Sequence, residues 1–213
     1  MITLLEGDLD LAWFVDTMAS KQLGCDIETS GLNKQTDKIA CIQIYTPGIG
    51  TVMVRNLSKK PEKLIKLLQY NKVQKIFHYG YFDLSFLVRD YPALEPANIA
   101  DTKIAAKILD PKKQLYNDPI TGKPSHSLRS LIYNHFGVIL DKTLAISDWF
   151  APDLSTEQLD YAAKDVEYLP LLLGQLEYIL RQRRKIRLVR QAYAHLPTKV
   201  ILDMRVGDVY SYE

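Results

Sequence analysis

The sequence predicts an α/β fold in which helices flank a mixed sheet, formed by a three-strand antiparallel meander and additional parallel strands. Two observations support this prediction. Three strand-like runs, LGCDIE, KIACIQIYT and GTVMV, follow one another with only the turn-rich connections SGLNKQTD and PGIG between them, as in an antiparallel meander. Beyond them helical and extended patterns alternate, as expected when helices cover the faces of a sheet.

The other elements follow from local signals such as Pro at a first helical position and Gly after a last one. In chain order we expect a helix at about 9–18, a helix at 61–68, a strand at 73–78, a helix at 82–91, a strand at 97–102 that enters a helix, and a helix at 126–137. Residues 110–124, rich in Pro, Lys, Asn and Gly, form the one clear loop.

The C-terminal third is predicted to be mainly helical. Ser155 and Gln158 have the capping-box spacing and open a helical region that extends to about Leu196, with a kink or a division at Pro170. Residues 198–213 look like a short extended segment. We interpret the 213 residues as one domain, with about 174–213 as an extension of it.

Composition is that of an ordinary soluble protein, with 47% hydrophobic and 24% charged residues. A net charge of +2 neither requires nor excludes a polyanionic partner. Cys25 and Cys41 lie in apolar runs and form neither a disulfide framework nor a CxxC metal motif. No signal peptide or membrane-spanning run is visible, so we expect a cytoplasmic protein without a membrane partner.

The stretch GCDIETSGLN allows two interpretations. In a strand, Leu23, Cys25 and Ile27 would share an apolar face, while Asp26 and Glu28 would point together to the other side. The pair is either the solvated side of an edge strand or part of a cation site, and the motif alone is too short to decide.

Two further segments carry acids in helices. Asp83 stands at the start of a predicted helix, where the helix dipole alone would favour an acid. In LDYAAKDVEYL, Tyr161 and Asp165 are four residues apart and so share one side of a helix, beside its apolar stripe. Each segment also has an ordinary structural explanation when it is taken singly.

Together, these segments resemble the DEDD superfamily of 3′–5′ exonucleases, in particular its tyrosine-bearing, ribonuclease D-like branch. Asp26 and Glu28 in DIETSGL match the first family motif, and Asp83 in HYGYFDLSFL matches the second. Tyr161 and Asp165 in YAAKD match the third, with the tyrosine four residues before the last acid as in this branch. The resemblance covers nearly the whole chain and implies a ribonuclease H-like fold.

Some details refine the resemblance. The histidine-bearing branch would have a His at position 160, where this chain has Asp160, whereas HSLRSL and the SDW at 147–149 also fit the ribonuclease D-like branch. The second motif often has Asn after its His, and Tyr79 stands there in this chain.

The resemblance implies a metal-dependent hydrolysis that uses two divalent cations, Mg²⁺ or Mn²⁺. Asp26, Glu28 and Asp165 would hold the first ion, Asp26 would bridge to the second, and Asp83 would reach the second through water. Tyr161 would orient or deprotonate the attacking water. Carboxylates are the ligands that such hard ions prefer, which agrees with four acids and no Cys/His cluster.

Four residues are expected to contact the substrate. Thr29 and Leu32 follow the first acidic pair and resemble positions that contact the terminal nucleotide, although Leu32 could equally be a core residue. His78 and Phe82 would contact the nucleotide from the opposite side, with core packing as the alternative for Phe82. Gln43 and Trp149 are taken as structural.

The basic run RQRRKIRLVR at 181–190 is either a solvated helix face or a surface that follows a phosphate backbone. On one continuous helix, Arg183, Arg187 and Arg190 would form a single stripe.

The sequence therefore predicts an enzyme that removes nucleoside 5′-monophosphates from RNA 3′ ends that are single-stranded or frayed. A 3′–5′ DNA exonuclease is the first alternative, and an inactive nucleic-acid-binding module is the second. Full-length ribonuclease D has further helical domains that we do not expect here, so substrate capture would depend on the nuclease domain alone or on a homo-oligomer.

Overall fold

The computed structural model describes residues 2–211. Six strands form one sheet in the spatial order β1-β4-β3-β2-β5-β6. They are β1 Ile2–Glu6, β2 Gln22–Thr29, β3 Ile39–Thr46, β4 Gly50–Arg55, β5 Gln74–Phe77 and β6 Ile99–Asp101.

The sheet confirms the predicted fold class. Strands β2, β3 and β4 form the antiparallel meander, while β5 pairs parallel with β2, and β6 parallel with β5. Strand β1, which the sequence analysis did not anticipate, pairs parallel with β4 at one edge. Three of its five residues are exposed and the other two are only partly buried, so its hydrophobic signal is weak.

Eight α-helices cover the two faces of the sheet in the described part of the chain. They are α1 Leu11–Ala19, α2 Glu62–Gln69, α3 Gly80–Asp90, α4 Thr102–Leu109, α5 Leu128–Phe136, α6 Thr156–Glu167, α7 Leu169–Gln182 and α8 Ile186–Arg205. A short 3₁₀ turn, Thr143–Ile146, precedes α6.

Two large apolar cores lie on opposite faces of the sheet. One contains Leu23, Cys25 and Ile27 of β2, packed with apolar residues of α2, α3 and α8. The other contains Ile76 of β5 with apolar residues of α4 to α7. Because β2 is a central strand, each of its faces lies under helices, and the edge-strand interpretation of its acids is wrong.

The C-terminal region corrects two expectations. The helical region divides at Tyr168, two residues before Pro170, where a division was predicted. It divides again between Arg183 and Lys185, where Arg184 has a left-handed backbone with φ of 55°. The basic run therefore spans a helix end, a turn and a helix start, and its three arginines do not form one continuous helical stripe.

The predicted extended tail is wrong as far as Arg205, since α8 continues to that residue. Leu196 and Val200 are buried in the first core and are one helical turn apart, so the β-branched residues of TKVIL serve helix packing. The end of the predicted tail, Tyr212 and Glu213, lies outside the described residues. Within residues 2–211, no helix combines the length and the apolar character that crossing a membrane requires.

Candidate active site

The first acidic pair lies on the central strand β2. Asp26 is paired in register with Gln43 of β3, and Glu28 with Cys41. Both carboxylates are half-buried, while the alternate residues of the strand are fully buried in the core on the other face. The pairing register shifts between Glu28 and Thr29, so the strand bends where its acidic side chains end.

A glycine lets the third acidic segment approach this strand. A Cβ atom on Gly24 would lie 2.1 Å from the backbone oxygen of Val166, so any side chain there would collide with the last turn of α6. The close contact places Asp165, the residue before Val166, opposite Asp26. Gly24 is thus the position at which the fold allows these two segments to meet.

Three carboxylates converge as a result. One oxygen each from Asp26, Glu28 and Asp165 lies within 4.8 Å of the others. Burial, and then the charge of Asp165, raises the pKa of Asp26 to about 7. Burial and the charge of Asp26 raise the pKa of Glu28 well above its usual range. Such mutual repulsion is what a bound divalent cation would relieve, and the oxygen donors suit Mg²⁺ or Mn²⁺.

Asp83 lies next to this group but outside its closest trio. It is buried in the first turn of α3 and accepts a hydrogen bond of 3.1 Å from the backbone N–H of Ile27. Burial, with the charge of Asp26 as the next cause, raises the pKa of Asp83 well above its usual range. We call Asp26, Glu28, Asp83 and Asp165 the acidic cluster.

Tyr161 joins the cluster through a lysine that the sequence analysis missed. Lys142 Nζ donates hydrogen bonds of 2.7 and 2.5 Å to the two carboxylate oxygens of Asp165. It also donates one of 3.2 Å to the hydroxyl oxygen of Tyr161. Lys142 is thus a built-in cation beside the acids, and it holds the phenol and the carboxylate in one arrangement.

No motif marks Lys142, because it lies in a segment between the predicted helices and its partners are 19 and 23 residues away. The one available signal is its place close before SDW. Trp149 of that segment packs against Tyr161 with ring centroids 5.9 Å apart, so the segment as a whole covers the tyrosine.

The predicted substrate contacts have different environments. Leu32 is 84% exposed, which excludes the core alternative for this residue. Phe82 is partly buried and packs against Phe86 with centroids 4.9 Å apart, in agreement with its core alternative. Thr29 is half-buried, and its hydroxyl donates a hydrogen bond of 2.6 Å to the backbone oxygen of Gly31.

His78 lies at the end of β5. Its Nδ1 shares a hydrogen bond of 2.9 Å with the hydroxyl of Thr102, and its buried Nε2 has no partner among the described residues. Burial, followed by the charges of Lys103 and Lys142, lowers the pKa of His78 to about 3. The ring is therefore neutral near pH 7.

The backbone conformation at Tyr79 shows why the family often has Asn at this position. It precedes α3 with a left-handed backbone, φ 70° and ψ 41°, a conformation that Asn adopts more readily than other non-glycine residues. The position thus requires a backbone conformation that the family's Asn supplies at low cost. Here an aromatic ring that is 44% exposed occupies it.

Comparisons with known proteins show which family the chain resembles. A family model described as 3′–5′ exonuclease matches residues 8–181. Ribonuclease D of Serratia proteamaculans is 30% identical over 149 residues, which are 70% of this chain and 36% of the relative. DNA polymerase I of Aquifex aeolicus is 31% identical over 163 residues, which are 76% of this chain and 25% of the relative. The chain therefore spans only about a third or less of these relatives.

Solved structures extend the similarity to the whole chain. Brucella melitensis NrnC, solved with bound Mg²⁺, is 30% identical, has a TM-score of 0.82, and matches 100% of both chains. Escherichia coli RNase D has a TM-score of 0.79 over 94% of this chain and 50% of its own, at 20% identity, and so supports the fold alone. The chain belongs to the 3′–5′ exonuclease family and is ribonuclease D-like.

Proposed function

We propose that this protein is a metal-dependent 3′–5′ exoribonuclease that releases nucleoside 5′-monophosphates from RNA 3′ ends. The observation that carries the proposal is the convergence of Asp26, Glu28 and Asp165, from sequence segments more than 130 residues apart, into one cluster of oxygen donors. Both the family membership and the order of the motifs support this assignment.

The acidic cluster would hold two divalent ions, Mg²⁺ or Mn²⁺. Asp26, Glu28 and Asp165 would bind one, with Asp26 shared, and Asp83 would serve the second. When bound, such ions stabilise the attacking and the leaving oxygen of a phosphodiester. Support comes from the donor chemistry and from the raised pKa values of Asp26 and Glu28, which reflect burial and the charges of neighbouring acids.

Tyr161 would position the attacking water rather than deprotonate it. Burial and the charges of Asp165 and Glu28 raise the pKa of the phenol above its ordinary value. A phenol that keeps its proton can donate a hydrogen bond to an oxygen but cannot accept a proton from water. Lys142 would maintain its orientation through the contact at the hydroxyl.

The terminal nucleotide would lie between Leu32 and the end of β5. The exposed Leu32 side chain offers an apolar wedge beyond the acidic strand, and Thr29 would fix the turn that presents it. His78 is neutral, its Nε2 has no hydrogen-bond partner within residues 2–211, and it would offer a polar edge. Phe82 would support that side from the core.

Specific observations favour two classes of substrate. NrnC has been solved bound to pGG, and at 30% identity over the whole chain this favours very short oligoribonucleotides as substrates. The similarity to a DNA polymerase I favours DNA as the second candidate substrate.

The test uses 3′-labelled RNA of several lengths, from dinucleotide upward, and DNA of the same sequences. Each is incubated with Mg²⁺, with Mn²⁺ or with EDTA. We expect mononucleotide release from RNA with either metal and none with EDTA. Faster release from DNA would favour the second candidate, whereas no metal-dependent release from either polymer would contradict both.

A further inference from the structure

A group of cationic side chains begins beside the acidic cluster and extends along α4. Lys103 and Lys107 are four residues apart on this helix and so lie on the same side, with Cβ atoms roughly 5–6 Å apart. Lys113 follows just beyond the end of α4, with a left-handed backbone, φ 53°. We call Lys103, Lys107 and Lys113 the lysine path.

The charges of Lys107 and Lys113 both act on Lys103. The pKa of Lys103 lies below its ordinary value, through desolvation first and then through the charges of Lys107 and Lys113. Among residues 2–211, none of the three forms an ion pair. Converging like charges without counter-ions cost stability, and a polyanion would relieve that cost.

Nearby carboxylates are already engaged elsewhere. Asp101, the acid next to Lys103, is buried and accepts hydrogen bonds from the backbone N–H groups of Gly80 and Ile104. Asp110, at the end of α4, accepts from the backbone N–H groups of Gln114 and Leu115. These acids fix the surrounding backbone. The charge of Asp101 partly offsets that of Lys107 at Lys103, but among residues 2–211 neither acid forms an ion pair with the lysine path.

An aromatic ring stands at the start of the path. Lys103 Nζ lies 4.2 Å from the centroid of the Tyr79 ring, which remains 44% exposed. Cations beside exposed aromatic rings are typical of surfaces that bind single-stranded nucleic acid, since phosphates pair with the cations and bases stack on the rings. The left-handed backbone of Tyr79 shows that this ring is presented at a cost.

The path is continuous with the acidic cluster. His78 Nδ1 shares a hydrogen bond of 2.9 Å with Thr102, the residue before Lys103, and Lys142, whose charge also acts on His78, contacts Asp165 directly. A strand whose 3′ end lies at the acids can therefore pass the neutral His78 and reach Lys103. Helix α4 then runs on from this point to Lys107.

From this arrangement we propose that the lysine path binds the phosphates of the substrate strand upstream of its terminal nucleotides, with Tyr79 as a stacking surface. The proposal rests on the proposed function and adds to it a dependence on substrate length. A dinucleotide ends before the path, whereas a longer single strand reaches it. Its partner is thus the single-stranded nucleic acid that is being degraded.

The test compares two variants, each with three lysines replaced, on a short and a longer substrate. One variant carries Lys103→Gln, Lys107→Gln and Lys113→Gln, and the matched control carries Lys59→Gln, Lys60→Gln and Lys66→Gln, which remove the same charge from an exposed surface near α2. Binding of an oligoribonucleotide of about twelve residues is measured by fluorescence anisotropy over a range of salt concentrations. An Asp26→Asn background prevents cleavage, and dinucleotide cleavage is measured without that change.

We expect the path variant to bind the longer strand about tenfold more weakly at low salt, with a salt slope reduced by about 2 for three lost phosphate contacts. Dinucleotide cleavage and the control triple should be unaffected. Replacement of the same lysines by Arg should restore binding, which separates charge from folding.

Two results would overturn the lysine path while leaving the nuclease assignment intact. One is retained affinity of the path variant for the longer strand. The other is a loss of dinucleotide cleavage as large as the loss of affinity for the longer strand. A parent protein that binds the longer strand through the path but hydrolyses neither substrate would instead contradict the proposed function.

Discussion

The acidic cluster and the lysine path both bring like charges together, but they do so in opposite ways. The cluster joins segments from β2, α3 and α6, buries them, and fixes them through backbone contacts such as the approach of Val166 to Gly24. The lysine path lies on one helix and the loop after it, and two of its three lysines, Lys107 and Lys113, are exposed to solvent. A buried cluster with fixed geometry suits compact divalent ions, whereas an exposed row of flexible cations suits an extended polyanion.

The largest effect should come from removing one acid of the cluster. Asp26→Asn should lower kcat by at least about a thousandfold, about 4 kcal/mol of transition-state stabilisation, because it removes the ligand shared between the two proposed ions. Rates of mononucleotide release measure this. Asp16→Asn, an exposed acid on α1, is the control and should retain full activity. Substantial cleavage by Asp26→Asn would place the metals elsewhere.

The second prediction concerns the contact that brings the cluster together. Gly24→Ala should destabilise the protein by about 1–3 kcal/mol, because the new Cβ meets the backbone oxygen of Val166 and not a flexible side chain. Chemical denaturation measures the loss. Gly174→Ala is the matched control in α7, where an added Cβ has no neighbour within 4 Å, and it should stabilise by up to about 1 kcal/mol. Equal effects at both positions would show that the close approach is unimportant.

The third prediction tests the built-in cation. Lys142→Met should destabilise the protein in EDTA by about 1–2 kcal/mol, because the nearly buried Asp165 loses its partner while its acidic neighbours remain. Added Mg²⁺ should therefore raise the melting temperature more in this variant than in the parent. Lys164→Met, an exposed lysine on α6, should behave like the parent. An unchanged stability in EDTA would argue against a structural ion pair at Lys142.

The smallest effect is expected where the two regions meet. Tyr79→Asn should stabilise the protein by about 0.5–1 kcal/mol, because Asn tolerates the left-handed backbone that strains Tyr. The same change should weaken binding of the longer oligoribonucleotide through loss of the ring. Thermal unfolding and fluorescence anisotropy measure the two effects. A loss of stability would mean that the contacts of the ring outweigh the strain.

The sequence could predict those features whose signal is local or ordered along the chain. The meander, the capping box at Ser155 and the division near Pro170 follow from short patterns. The roles of the five motif residues stay predictions that rest on their order and spacing. Their individual signals were weak. Their ordered combination suggested the convergence that the fold produces for Asp26, Glu28 and Asp165.

Features that depend on tertiary contacts could not be predicted. Lys142 matters only because the fold places it against Asp165 and Tyr161. The end of α8 looked extended because its β-branched residues favour strands, and it is helical because Leu196 and Val200 pack into the core. The lysine path was hidden for the same reason, since its members lie on α4 and in the loop beyond it and no short motif joins them.

Calorimetric titration of the metal-free protein with Mg²⁺ tests the central claim most directly, namely that acids from distant segments form one divalent-cation site. The parent protein should show saturable binding, and Asp165→Asn should abolish or greatly weaken it, although Asp26 and Glu28 on β2 are unchanged. Binding of equal affinity in the parent and in Asp165→Asn would contradict the claim, because α6 would then contribute nothing to the site.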